Sequence, residues 1–453
     1  MTRQVGNISI FLSKAALLFA VLSAFFSGQT VFYEQTLYYF WGNYVVLLVY
    51  AANLLLVSRV FNGFSFGSSD LHEIILSWIL SLLITNSLAY LLLSLLEYRM
   101  LDVVGFFLIL VFQFILVIPM AIIINSIYYR LHPAQKTIII YNSEDIAREY
   151  CAIIRKHRKK FIVHYAMPHS TPTENLLDRI TESETVFFLD VDIAKNEILL
   201  EHCFKHEKHT YVMPTFSSVL LNTAEISWIS NVPVFLSKSS AIDPVPLFVK
   251  RCIDILFSAI MLAALSWLML IVSAAVWLYD RHAPIYKQRR VTKGGKEFTL
   301  YKFRSMKPDA EADGVARLSV QGDERITPIG RLIRKTRIDE LPQLINVLAG
   351  SMSLVGPRPE RPEILKQYEM IHPNFSLRTK VKAGITGYAQ IYGKYNTAPD
   401  EKLFLDIMYI ERFSIWQDIK LILQTLKIIF ISSSTEGIPD ELETALRINR
   451  KEE

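Results

Sequence analysis

Four long apolar runs, at about residues 8–28, 39–58, 74–96 and 104–128, constrain this chain more than any other feature. Each approaches the roughly 20 residues that cross ~30 Å of hydrocarbon at about 1.5 Å per residue. Four transmembrane helices are therefore expected. The charges sharpen the partition: residues 1–129 carry about nine charged side chains, the remaining residues about eighty. A membrane block thus precedes a charged, globular remainder. The first run lacks a small-residue cleavage site and reads as a retained helix, not a signal peptide. Four spans return the chain to its starting side, where Arg3, Arg59, Arg130 and Lys136 fall, and the positive-inside bias makes that side cytoplasmic. Inside the spans stand Asn43, Asn53, Asn86, Gln113 and Asn125 but no ion pair, and Lys14 is near enough to a helix end to snorkel. An anchoring, dimerising bundle fits this better than a transporter or proton relay, which places ionisable groups at depth. Pro119 is expected to kink the fourth helix.

From about residue 133 the periodicity changes. The β-rich runs Thr137–Tyr141, Phe161–Tyr165 and Val186–Leu189 alternate with helical patterns, which implies a parallel α/β sheet. The first strand-to-helix turn, Tyr141-Asn142-Ser143-Glu144-Asp145, has no glycine, and its two acids would repel a pyrophosphate at the helix N-terminus. This is a Rossmann-like block without its phosphate loop, and no NAD binding is expected. His202 and His206 stand at the i, i+4 spacing that lets two imidazoles share a metal, beside Cys203 and His209. Their neighbours Lys205, Glu207 and Lys208 make a solvated helix end the simpler reading. Three widely spaced cysteines exclude a disulfide framework. A net charge of +5, with no basic run interleaved with aromatics, gives no reason to expect nucleic acid.

The last 200 residues carry the chemistry. Lys250-Arg251-Cys252-Ile253-Asp254 opens about 25 apolar residues ending at Asp280-Arg281. By length this is a fifth crossing. A crossing, however, would strand a strongly basic segment on the far side, since residues 281–337 hold about fifteen Lys/Arg against about six Asp/Glu. The alternative is a helix that enters one leaflet, breaks and returns, with Asp254 and Ser266 as candidate polar groups at the break. Next, the strand-like Phe298–Arg304 puts Lys302 and Arg304 on one face by period two, a pair able to neutralise a phosphate or simply to face solvent. The charged stretch Lys307–Arg325 reads as a loop able to close over substrate. In Arg334-Lys335-Thr336-Arg337-Ile338-Asp339-Glu340-Leu341-Pro342, the proline suits a first helical turn, so Asp339 lies at or near the N-cap. A cap is the plain reading. The same geometry also gives an ionised carboxylate among Arg334 and Arg337 that can meet a phosphate, with Glu340 able to hold a divalent cation. Gly356-Pro357-Arg358-Pro359 mounts one Arg stiffly between two prolines.

These stretches, taken in order, resemble the bacterial sugar transferases, the monotopic phosphoglycosyl transferases. The matching residues are Lys250-Arg251-x-x-Asp254, Lys287-Gln288-x-Arg290, Tyr301–Met306, Asp339–Leu344 with Asn346-Val347, Ser353–Pro359 and Gly384-Ile385-Thr386-Gly387-x-Ala389-Gln390. Asp406-x-x-Tyr409 and Ser414-x-x-x-Asp418 also fit. The resemblance implies a membrane protein with a four-helix transmembrane domain (1–132), a degenerate Rossmann-like α/β domain (133–245) and a mainly helical α/β catalytic domain (246–433). That last domain would carry a re-entrant helix at about 250–279 and interfacial amphipathic helices, and a charged tail (434–453) would follow.

The resemblance further implies transfer of a sugar-1-phosphate from a UDP-sugar to polyprenyl (undecaprenyl) phosphate with release of UMP and a need for Mg²⁺. This would be the first membrane step of exopolysaccharide, capsule or O-antigen synthesis. Asp339 matches the nucleophile that forms an aspartyl phosphosugar, and Glu340 its metal-associated partner. Lys302, Arg304, Arg334, Arg358 and Arg290 match positions near the phosphates or uridine. The site would lie on the cytoplasmic face of the inner membrane, in a homodimer. The chain departs from the family pattern at Trp267, where a proline usually breaks the membrane helix, and at Ala283, Thr292 and Ala383. A catalytically silent scaffold of a polysaccharide assembly complex is the alternative. The hexose is not legible: galactose, glucose and N-acetylated sugars all remain open. The segment Phe413–Ile431, with Trp416, Ile419, Leu423, Leu426 and Phe430 beside Lys420 and Lys427, suits either an interfacial helix or a core helix.

Overall fold

A computed structural model describes residues 2–33, 41–192, 196–215, 218–219, 224–229, 232–236, 244–308, 310, 323–393 and 399–428. Phe430, the charged tail and most of the Lys307–Arg325 stretch lie outside them. The chain divides into two compact units, residues 1–215 and 216–453.

The first unit opens with α1 (Thr2–Phe32), α2 (Gly42–Val60), α3 (Leu71–Leu96) and α4 (Val103–Leu131). All four are long and apolar enough to cross a membrane, as is one helix of the second unit. Hydrophobicity all round leaves packing to small and polar residues. Gly28 lies against Ile109, and one amide network ties all four helices together. The Asn86 amide donates to Gln113 Oε1 (2.7 Å), while Gln113 Nε2 donates to Tyr50 OH (3.0 Å) and to the Val21 carbonyl (3.2 Å). Two of the five amides noted in the spans therefore serve as interhelical glue. Pro119 sits inside α4, which continues through it.

The same unit then forms β1 (Gln135–Tyr141), α5 (Glu144–Lys156), β2 (Phe161–Pro168), α6 (Thr173–Glu182), β3 (Thr185–Leu189), α7 (Glu197–Lys205) and β4 (His209–Val212). The strands are parallel in the order β2-β1-β3-β4, the doubly wound arrangement that strand–helix alternation implies. The strand β4 was not anticipated from sequence, because four residues leave no readable period. Glu144 and Asp145 occupy the first turn of α5. Cys203 is buried in the core under the sheet, and His202 Nε2 is engaged by Thr181 Oγ1 at 2.8 Å. These two side chains of the His/Cys cluster serve packing and a helix contact.

The second unit contains a hairpin of β5 (Glu225–Ile229) and β6 (Val232–Leu236), then α8 (Pro244–Asp280), then the antiparallel pair β7 (Ile285–Val291) and β8 (Glu297–Phe303). The helix α8 is one continuous element, so the break expected near Ser266 is not there. The residue at the expected break is Trp267, which keeps its amide and lacks the ring that would clash with the preceding turn. Ser266 is exposed and donates to the Ala263 carbonyl one turn back. Along α8 a single stripe turns inward: Asp254 and Ser258 are buried, Met261, Leu262, Leu268 and Met269 pack partly, and Val272 and Val276 are buried. The opposite face, with Leu256, Ile260, Trp267, Leu270, Ile271 and Leu278, is bare. One side of α8 suits lipid and the other is a docking edge along its whole length.

After α8 and its hairpin come α9 (Pro328–Lys335), α10 (Gln343–Ala349), β9 (Ser353–Val355), α11 (Pro362–Ile371), β10 (Gly384–Thr386), α12 (Tyr388–Ile391), α13 (Pro399–Glu411) and α14 (Ile415–Ile428). Outward Trp416, Ile419 and Leu426 and inward Leu421 make α14 two-faced, and Lys427 is buried on its inner side. The short parallel pair β9–β10 brings Gly356 against Gly384, where neither residue has room for a side chain. Replacing either glycine by alanine should lower stability by about 2 kcal/mol through overpacking. Thermal unfolding of the detergent-solubilised protein would register this as a depressed midpoint.

Candidate active site

The α9 helix starts with its Thr327 hydroxyl accepting from the Gly330 amide, followed by Pro328 in the first turn. Two residues past its end, Arg337, a non-glycine residue at φ 55°, turns the chain sharply into a 3-10 turn over Ile338–Glu340. Ile338 and Leu341, on either side of the acidic pair, pack with Met269, Val272 and Val276 of α8. Asp339 and Glu340 are both buried in consequence. Asp339 is near but not at the N-cap of α10: that position belongs to Pro342, three residues on.

Glu340 is the centre of the cluster. Its Oε1 meets Lys302 Nζ at 3.2 Å and Arg358 Nη2 at 2.9 Å. Burial opposes its ionisation, but Arg358, Lys302 and Arg337 together outweigh it and hold the carboxyl far below the usual range. Asp339 goes the other way. Burial and the neighbouring Glu340 charge raise its pKa, and Lys302, Arg334 and Arg358 only partly compensate. This corrects the expectation from sequence that a helix terminus keeps Asp339 readily ionised. Among the described residues no hydrogen bond reaches the Asp339 carboxylate. A buried carboxylate with open lone pairs beside a second one is a donor set suited to a hard divalent cation, whose other ligands substrate phosphates can supply.

The remaining candidates fall in different places. Arg334 lies within electrostatic reach of Asp339 from the last turn of α9. Arg304 follows the end of β8, with its backbone amide on the Pro284 carbonyl, and does not share the Lys302 contact with Glu340. Arg290 serves the Arg358 loop from behind. Its Nη1 donates to the Pro359 carbonyl at 2.9 Å, and burial lowers its pKa to about 10. Every carbonyl from Pro357 to Glu360 has a donor: Gly384 N at 2.9 Å, Arg378 Nη2 at 3.0 Å, Arg290 Nη1, and Val291 N at 3.0 Å. Arg358 is thus mounted on a loop with no slack. Asp254 lies far from any helix break; its carboxylate accepts from Ser353 Oγ at 2.8 Å and from Leu354 N at 3.0 Å.

Sequence reasoning missed the ionic network beneath that loop. Arg378 pairs with Asp406 at 2.6 Å and with Glu360 at 3.4 Å, and Lys402 approaches Glu360 at 3.6 Å. Burial pushes Asp406 up to about 6 against the pull of Arg378. Asp406 was visible in the motif; Arg378 lies in an unremarkable stretch with no spacing signal. Two departures from the family pattern also meet here. The Ala383 amide, which a proline would lack, donates to Thr292 Oγ1 at 3.2 Å, and that hydroxyl donates to the Ser351 carbonyl at 2.8 Å.

Residues 245–432 match the family described as bacterial sugar transferase. The UDP-N-acetylgalactosamine-undecaprenyl-phosphate N-acetylgalactosaminephosphotransferase of Aeromonas hydrophila is 40% identical over 190 residues, 41% of this chain and 45% of its own length. The UDP-glucose:undecaprenyl-phosphate glucose-1-phosphate transferase of Klebsiella pneumoniae is 37% identical over 225 residues, 49% of this chain and 48% of its own. The chain thus matches about half the length of these two relatives. The undecaprenyl-phosphate galactose phosphotransferase of Salmonella typhimurium is 30% identical over 327 residues, 65% of this chain and 68% of its own.

The opposite shifts of the two acids give opposite mutational signs. A carboxyl whose folded-state pKa is raised supports the fold below its unfolded pKa and ceases to do so as pH rises through the folded value. Asp339→Asn should therefore stabilise the protein by about 1 kcal/mol at pH 8, with the difference closing as pH falls toward 4. Glu340→Gln, which strips Lys302 and Arg358 of their counter-charge, should cost about 3 kcal/mol at pH 8. Unfolding midpoints across pH check both signs.

Proposed function

Because the chain belongs to the bacterial sugar transferases, we propose that it transfers a sugar-1-phosphate from a UDP-sugar to polyprenyl phosphate, releasing UMP. The observation that carries this reading is the buried Asp339–Glu340 pair enclosed by Lys302, Arg334 and Arg358. A carboxylate that nothing described hydrogen-bonds is free to act as nucleophile, and the cations beside it suit a phosphate better than a neutral substrate. Asp339 attacks the phosphorus that bears the sugar, and the bond to the UMP oxygen breaks. An oxygen of polyprenyl phosphate then attacks the same phosphorus and displaces the Asp339 carboxylate. Arg358 and Lys302 neutralise charge on the phosphoryl oxygens, and Glu340 fixes both of them while keeping its own charge. Asp339 and Glu340 would hold Mg²⁺, which would supply further charge neutralisation there. Since Asp339 must be ionised to attack, its raised pKa puts the acid limb of the rate profile above that of an ordinary aspartate.

The reading includes a place at the bilayer. Arg251 and Val276, on one continuous helix, both touch the catalytic unit. At about 1.5 Å per residue they lie roughly 37 Å apart, more than the ~30 Å of hydrocarbon a crossing would put between them. Both ends of α8 then lie on one side, cytoplasmic by the positive-inside bias, and the helix is embedded in a single leaflet of the inner membrane with its bare face in lipid. Polyprenyl phosphate would reach Asp339 from that leaflet. The product would start an exopolysaccharide, capsule or O-antigen repeat unit. A homodimer formed through the first unit is part of the same proposal.

Purified protein given Mg²⁺, polyprenyl phosphate and UDP-glucose, UDP-galactose or UDP-N-acetylgalactosamine should release UMP with one of them. Asp339→Asn should abolish release, and Arg358→Ala should reduce it about a hundredfold. Silence of the wild-type protein with every donor, and no phosphosugar trapped on Asp339 by mass spectrometry, would refute the reaction. A cysteine at the exposed Lys293 turn should be labelled only from the cytoplasmic side.

A further inference from the structure

The Arg358 that faces Glu340 lies four residues beyond Leu354, and β9 is held from both edges. On one edge it pairs with β10, with Ser353 N donating to Ala383 O at 2.8 Å and Gly356 N to Thr386 O at 2.8 Å. Among the described residues no strand pairs with its other edge. There Asp254 of α8, 4% exposed, takes the Leu354 amide on one oxygen and the Ser353 hydroxyl on the other. One carboxylate thus does for β9 what a neighbouring strand would do. The adjacent turns of α8 reinforce the hold. Arg251 donates to the Val347 and Leu348 carbonyls at the end of α10, at 2.6 and 2.8 Å. Lys250 pairs with Asp418 at 2.5 Å, Asp418 accepts from Tyr409 OH at 2.9 Å, and the same hydroxyl reaches the Val355 carbonyl at 3.1 Å. The segment that delivers Arg358 is therefore tied directly to the membrane helix at Ser353 and Leu354, and at Val355 only through a Tyr409 proton shared with Asp418.

We propose that Asp254 is a positioning residue for Arg358: by fixing β9 against α8 it sets the guanidinium on Glu340, so that the catalytic clamp forms only when the membrane helix is docked. The inference rests on the transferase reading above and adds to it a dependence of catalysis on α8. Asp254 touches no reacting atom. Its carboxylate accepts two hydrogen bonds, and no asparagine can accept both in the same geometry, since its amide nitrogen only donates.

Four full-length proteins test this: wild type, Asp254→Asn, Arg358→Lys and the double variant. In the wild-type background Asp254→Asn should slow UMP release ~30-fold, because small displacements of a catalytic group are costly. In the Arg358→Lys background, where the guanidinium is already gone, the same change should cost less than about threefold. An equal factor in both backgrounds, or no loss from Asp254→Asn, overturns the proposal. If Asp254→Asn is not recovered folded, Ser353→Ala replaces it in the same cycle, removing one of the two bonds and leaving the carboxylate in place. Unfolding midpoints of the four proteins without substrate give a readout independent of the reaction. Additive shifts there count against the coupling even if no UMP is ever released, whereas wild-type silence with non-additive midpoints faults only the transferase reading.

Discussion

The contact on which the rest of the second unit depends is the Glu340 carboxylate shared by Lys302 and Arg358. Three segments far apart in sequence meet on one oxygen: the end of β8, the 3-10 turn after α9 and the loop after β9. Taking Glu340 and Lys302 largely out of water costs several kcal/mol per ion unless each finds its partner, while Arg358 stays partly solvated. The surrounding structure supplies that order. Asn346 on α10 pins β8 by accepting from Tyr301 N at 3.0 Å and donating to Thr299 O at 2.7 Å, and donors on every carbonyl of Pro357–Glu360 hold the Arg358 loop. With those elements rigid, the ion pairs form without further ordering cost.

The price appears at Asp339. The same burial that strengthens the Glu340 pairs leaves its neighbour desolvated beside a like charge, so its ionised form is held at a cost. That is the state the proposed nucleophilic role would draw on: a poorly solvated carboxylate that accepts no hydrogen bond from a described residue would lose little on attacking phosphorus. A second buried cluster, Glu360–Arg378–Asp406–Lys402, lies behind the first and makes no contact with Asp339; its work is to keep the Arg358 carbonyl, and so the loop, in place.

The membrane helix α8 joins these parts. Near its start, Arg251 and Asp254 hold α10 and β9; near its end, Val272 and Val276 pack against Ile338 and Leu341 around the acidic pair. An apolar segment that sequence alone left as either a crossing or a hairpin is a continuous spine with a lipid-suited face and a protein face. The absence of proline at Trp267 explains the continuity, and the i, i+3, i+4 stripe from Asp254 to Val276 explains the docking.

Local chemistry was enough to read the four apolar runs, the parallel α/β block, the missing phosphate loop and the Asp339-Glu340-Leu341-Pro342 motif, because each depends on neighbours in the chain: length for a span, alternation for a strand, glycine for a tight turn. What those residues do to one another was not legible. Arg290 and Arg358 look alike in sequence, yet one staples a loop and the other faces Glu340. Asp254 looked like a group at a membrane break and is the edge partner of a strand. Arg378 gave no signal at all. Residue types and their spacing specify which groups the chain carries and the local structure that carries them. Which charge faces which, and whether a carboxyl is held ionised like Glu340 or pushed up like Asp339, depends on burial and on partners that can lie a hundred residues away or more, as with Asp254 and Leu354 or Lys250 and Asp418. Only the packed tertiary structure decides those.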